Sequence, residues 1–210
     1  MVKKIVGTGV LLVLALALQA GVKMYTLKSP DGKVKLEVTA GQGIAYSLFY
    51  DGRLLLKPSR IALHTDLPEA DHWENIRITG TKQRHVSETV QAPFYRVKEF
   101  GIDCNELELR LNNGFSLLMR AYNDGMAYRF VAGRKGEMTV VEERAEFNFA
   151  DDFEAYIPYS TNPKDPWNMA FQNFYTKTPL TQYNTELPAF LPLTVDAGAV
   201  KLTLLESDLE

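Results

Sequence analysis

Arg120-Ala-Tyr-Asn-Asp-Gly-Met-Ala-Tyr-Arg-Phe130 decides how this chain reads. Asn123-Asp-Gly125 is a tight-turn signal set between two apolar runs, Phe115-Ser-Leu-Leu-Met119 and Met126-Ala-Tyr-Arg-Phe-Val131, which predicts an antiparallel β-hairpin. The same punctuation recurs at Ser29-Pro-Asp-Gly32, Tyr50-Asp-Gly52 and Asn112-Asn-Gly114. Between the turns lie short stretches of period two. Val34-Lys-Leu-Glu-Val38 and Leu107-Glu-Leu-Arg-Leu111 alternate cleanly, and Tyr46–Tyr50 and Val200–Leu204 are further strand candidates. Alternation puts apolar side chains on one sheet face and polar ones on the other. No long amphipathic helical pattern follows residue 20, so the expected fold is all-β: a large antiparallel β-sandwich.

A length of 210 residues suffices to bury a real core, and 46% hydrophobic against 23% charged residues argues against disorder. Lys and Arg number 23 against 26 acidic residues, with no basic patch or RNA-binding aromatic motif, which excludes nucleic acid as the expected partner. Residues 1–20 have the grammar of a secretory signal peptide. Lys3 and Lys4 precede the apolar run Val10–Leu18, with cleavage expected after Ala20. The run is short for a membrane span, so no stable span is expected. Cys104 is the single cysteine and no internal disulfide can form. Export without disulfides points to a bacterial periplasm.

From Tyr156 to Pro192 the prolines Pro158, Pro163, Pro166, Pro179, Pro188 and Pro192 interrupt the chain, with Trp167, Phe171, Phe174, Tyr175 and Tyr183 between them. Proline removes a ladder donor and is kept out of central strands. An ordered, aromatic-rich loop region packed on a sheet is expected, with a short helical turn near Trp167.

The spacings that mark common catalytic sites are missing: no phosphate loop, no His-Glu-x-x-His, no Cys-x-x-Cys, no Gly-x-Ser-x-Gly. His64, His72 and His85 are the three histidines, and His64 and His72 bracket an acidic loop where a His–carboxylate pairing is conceivable. Trp167, between Asp165 and Asn168, has the aromatic-plus-polar mixture of a sugar platform, although loop-anchoring packing is the simpler reading for it and for Trp73. Glu142-Glu143 and Asp151-Asp152 are adjacent pairs, which on a strand would face opposite ways. They read as solvated turn or strand-end charges. A glycosidase needs two carboxylates roughly 5–10 Å apart, and the sequence identifies no such catalytic pair.

Ser29–Lys33, the segment Tyr46 to Ser59, the Arg120–Phe130 hairpin, and Leu191–Val195 followed by Leu204-Leu-Glu206 together resemble the amino-terminal domain of glycoside hydrolase family 97. The resemblance spans residues 25–210. It implies a mutarotase-like supersandwich that supports a catalytic (β/α)8 barrel in an exported α-glucosidase or α-galactosidase. The implied partners are that barrel and an α-linked oligosaccharide or glycoside. The implied cofactor is Ca2+, with Glu206, in Glu206-Ser-Asp-Leu209, as the metal ligand from this domain; serine stands where the family commonly has alanine. By the same resemblance the sandwich is expected to be incomplete at its C-terminus, a truncated or split product without its barrel. The alternatives are a freestanding carbohydrate-binding module using the Tyr156–Tyr183 region, and a mutarotase-like enzyme built on a histidine and a carboxylate.

Overall fold

The structure, a computed structural model, describes residues 23–162, 164, 165 and 173–206. The expected signal peptide at residues 1–20 and the Trp167 platform, with its helical turn, lie outside the described residues. The chain divides into two compact units, one running to Asn148 and one from Phe149 onward.

The first unit is a two-sheet sandwich. One sheet has the order β1-β2-β3-β4-β9, formed by β1 (Lys23–Lys28), β2 (Val34–Gly41), β3 (Gly43–Tyr50), β4 (Arg53–Thr65) and β9 (Val140–Ala145). The other has the order β5-β6-β7-β8, formed by β5 (Ile78–Gln91), β6 (Glu99–Leu111), β7 (Phe115–Tyr122) and β8 (Gly125–Ala132). Every pairing is antiparallel. The hairpin read from Asn123-Asp-Gly125 is present, with Tyr122 opposite Gly125. The turn at Asp51-Gly52 needs the left-handed region: Asp51 has φ 48° and Gly52 φ 78°. Aspartate tolerates that conformation better than most residues and glycine does so without strain.

The alternation seen in sequence sets the core. Val34, Leu36 and Val38 of β2, Leu107, Leu109 and Leu111 of β6, and Phe115, Leu117 and Met119 of β7 are all buried. Each triad occupies alternate positions and therefore one sheet face. The two sheets meet through these faces. Tyr46 of β3 lies 6.1 Å from Tyr128 of β8 between ring centroids, and Asn105 Nδ2 of β6 donates to the Lys28 carbonyl of β1 at 2.9 Å. Burial pushes the Tyr46 phenol well above its ordinary value; its hydroxyl donates to the Glu146 carbonyl at 3.3 Å.

The chain crosses from the first sheet to the second between β4 and β5, and Trp73 sits in that crossing. Its indole is 6% exposed. It packs against Phe115 and Phe130 with centroid separations of 6.0 and 5.2 Å, and its Nε1 donates to the Leu63 carbonyl at 3.0 Å. This is the packing role expected of an indole with its one polar atom satisfied.

One hairpin outgrows its sheet. β7 pairs with β6 only from Cys104 to Arg110, while β5 and β6 stay paired out to Gln91 and Glu99. Ser87–Gln91 and Glu99–Asp103 thus form a two-stranded ribbon beyond the end of β7.

The second unit contains a four-stranded antiparallel sheet of order β11-β10-β12-β13, from β10 (Glu154–Ile157), β11 (Thr176–Pro179), β12 (Leu193–Asp196) and β13 (Lys201–Leu204). Ala155, Ile157 and Val195 are its fully buried residues. Pro179 closes β11, which is an edge strand, as the proline argument requires. A single 3-10 turn follows at Leu180–Gln182.

Candidate functional site

Glu206 lies two residues beyond β13, whose Leu204 pairs with Leu193 of β12. Its side chain is exposed. A carboxylate is the hard oxygen donor that calcium prefers, but the ion takes six to eight oxygens. Among the described residues no three or more of His, Cys, Asp and Glu gather where they could hold a metal. The chemistry of Glu206 fits a calcium ligand, and the rest of any such shell would have to come from elsewhere.

The histidines separate. His64 Nδ1 lies 2.7 Å from Asp71 Oδ1, both side chains about one-third exposed, so the pairing conceived from sequence exists. His72 is exposed, next in sequence to Asp71. His85 is spent on the polar face of the β5–β6 ribbon, Nδ1 3.0 Å from Asn105 Oδ1 and Nε2 3.1 Å from Asp103.

The adjacent carboxylates are structural. Glu143 accepts from the Tyr128 hydroxyl at 3.0 Å. Asp152 accepts from both the backbone N–H and the hydroxyl of Thr181, at 2.9 and 2.8 Å, anchoring the 3-10 turn. Cys104 is a fully buried residue of β6, and burial pushes its thiol up, away from nucleophilic use.

Sequence reasoning missed a different cluster. On β6 the leucines Leu107, Leu109 and Leu111 face the core, so Glu106, Glu108 and Arg110 face outward. Glu106 is nevertheless 6% exposed, held between Arg84 Nε at 2.7 Å and Arg120 Nε at 2.8 Å. The register explains the meeting, since Arg84 of β5 and Arg120 of β7 both stand directly opposite Glu106. Burial raises its carboxyl, but the two guanidiniums outweigh that and hold it below the ordinary glutamate value. The alternation Leu107-Glu-Leu-Arg-Leu111 gave the outward face; the cross-strand neighbours could not be read without the register.

A shallow concavity of about 320 Å³ opens beside this cluster, lined by Lys82, Arg84, Glu106, Glu108, Ser116, Leu118 and Val131. A second, of about 380 Å³, lies on the opposite sheet beside Arg60, Arg144, Glu146 and Asn148. Glu146 is committed there, accepting from the Arg60 N–H, Asn148 Nδ2 and Arg144.

The sequence profile of the family described as Glycosyl-hydrolase 97 N-terminal matches residues 27–210. A retaining alpha-galactosidase of Bacteroides thetaiotaomicron is 41% identical over 202 residues, covering 93% of this chain and 30% of its own length. The chain therefore spans less than a third of that relative. Among solved structures, a family 97 enzyme from Pseudoalteromonas sp. strain K8 in complex with panose superposes with a TM-score of 0.65 at 19% identity, covering 81% of this chain and 26% of its own. A beta-arabinopyranosidase superposes at 0.63 with 22% identity, covering 72% of this chain and 26% of its own.

Proposed function

This chain belongs to the glycoside hydrolase family 97 N-terminal domain family, and on that premise we propose that it is the supporting sandwich of an exported, calcium-dependent α-glycosidase. The observation that carries the reading is the 41% identity to a retaining alpha-galactosidase of which the chain spans 30%. That relative favours an α-galactoside over an α-glucoside as substrate. The catalytic carboxylates would belong to the barrel that this chain does not span, and by itself the purified chain is expected to show no turnover of an aryl α-glycoside.

Glu206 is the residue this domain would lend to the active site. Calcium bound there would supply positive charge to position the sugar. Glu206 would contribute one carboxylate to it, from the segment that follows β13. The leader at residues 1–20 would direct the enzyme through the inner membrane to the periplasm.

The test is a full-length chimera in which this chain replaces the matching segment of the Bacteroides thetaiotaomicron enzyme. It should hydrolyse an aryl α-galactoside. Glu206→Gln should weaken calcium binding at least about tenfold by direct titration, because one of few charged ligands becomes a neutral amide. A folded chimera with no activity, whose calcium affinity ignores the substitution, would reject the reading.

A further inference from the structure

The concavity of about 320 Å³ on the outer face of the β5–β8 sheet draws side chains from all four strands. The register sets them side by side. Lys82 and Arg84 of β5 stand opposite Glu108 and Glu106 of β6. Leu118 of β7 flanks Glu108 on its other side, and Val131 of β8 stands opposite Ser116 of β7. β6 and β7 are interior strands, so their backbone groups are spent in the ladders and recognition here falls to side chains.

Several of these side chains hold hydrogen-bonding capacity in reserve. Arg84 spends its Nε on Glu106 at 2.7 Å. A guanidinium has five N–H groups, and those on the terminal nitrogens of Arg84 make no further hydrogen bond among the described residues. Lys82 has no hydrogen-bond or ion-pair partner among the described residues. Glu108 Oε1 receives the Ser116 hydroxyl at 3.5 Å and lies 3.9 Å from Arg110 Nε, and its second oxygen accepts nothing among the described residues. Donors on β5 thus stand about 5 Å, one strand spacing, from an acceptor on β6. Half-buried Leu118 and exposed Val131 add an apolar floor beside them.

A pyranose ring presents the matching complement: vicinal hydroxyls that each donate and accept, and an apolar C–H face. An anion fits poorly, because each cation of the lining faces a carboxylate. An apolar ligand would strip water from Lys82, Arg84 and Glu108 without replacing its hydrogen bonds. Buried Glu106 sets the geometry in advance. Replacing a buried ion triad by well-packed apolar groups is often neutral or stabilising, so stability alone does not account for this one. Clamping Arg84 and Arg120 through their Nε atoms fixes both guanidinium planes, which lowers the ordering cost of binding. The volume lies at the small end of the roughly 300–1,000 Å³ of small-molecule sites.

We propose that this concavity binds, without cleaving, the pyranose units of an α-linked oligosaccharide, with Arg84, Lys82 and Glu108 on the hydroxyls and Leu118 and Val131 under the ring. The choice of an α-linked sugar rests on the proposed function; the site itself does not.

The experiment titrates the free, isotope-labelled 210-residue chain with raffinose and separately with maltotriose, following amide resonances. Raffinose is expected to shift the amides of residues 82–84, 106–108 and 116–118 saturably, with millimolar affinity. Arg84→Met should weaken binding at least about tenfold, through the lost charged hydrogen bonds. Leu118→Gln, which leaves the Glu106 clasp intact, should weaken it about fivefold through the lost floor. Binding of both sugars upholds the site and makes it indifferent to the sugar's identity. No saturable shift with either sugar, shifts confined to residues 156–183, or shifts that both variants leave unchanged overturn the proposal. So does the same pattern raised by sodium sulfate, which would make this an anion site. Turnover by the chimera described above is read separately. An active chimera beside a free chain silent to sugar rejects the site alone; a free chain that binds beside an inactive chimera upholds the site and rejects the proposed function.

Discussion

Replacing Trp73 with alanine is expected to destabilise the sandwich unit by about 4 kcal/mol, the range for deleting a large buried aromatic. The indole fills the crossing between the two sheets, against Phe115 and Phe130. Its loss opens a cavity that backbone on both sheets prevents from collapsing, and leaves the Leu63 carbonyl without its donor. Chemical unfolding should report the loss as a lower midpoint, and thermal unfolding as a fall of about 15 °C for a unit of this size. Trp73→Phe keeps much of the packing but not the N–H, and should cost about half as much. A cost under about 1 kcal/mol for the alanine variant would show that the indole is not a structural plug and would reopen a binding role for it.

Glu106→Gln is expected to cost about 2 kcal/mol near neutral pH. The amide retains one acceptor oxygen but turns its NH2 toward a guanidinium, so a charge-assisted bond becomes a donor facing a donor. The figure is set below the cost of breaking a fully buried pair, because Arg84 and Arg120 are 53% and 27% exposed and can turn to water. The sign with pH follows from the depressed carboxyl. Its contribution is complete above the ordinary glutamate value and is lost as pH falls through the lower folded value. Wild type and Glu106→Gln should therefore converge in stability in acid, when unfolding is followed across pH. A gap that stays unchanged throughout the acid limb would assign the cost to packing rather than charge.

Much of the fold was legible in local pattern. The turns at Ser29–Gly32, Asp51-Gly52, Asn112–Gly114 and Asn123–Gly125 all join strands where expected, because asparagine, aspartate, proline and glycine act within a few residues of themselves. The candidate site was legible only in pieces. The His64–Asp71 pair could be conceived because seven residues separate its members, whereas Glu106 reaches Arg84 across 22 residues and Arg120 across 14.

The sequence by itself determined the strands β2, β3, β7, β8 and β13 and the second half of β6, the apolar face of β2 and of that half of β6, where the chain turns between them, and the family to which it belongs. Those properties depend on side-chain periodicity and backbone preference along a few consecutive residues. Only the tertiary structure decided that β9 returns to pair with β4, that Glu106 is buried on a face its period marks as outward, and that β5 and β6 outrun β7 to leave an aromatic tip in water. Each of these is a matter of register between distant strands, fixed by how two whole sheets bury their faces together rather than by any residue's neighbours in sequence.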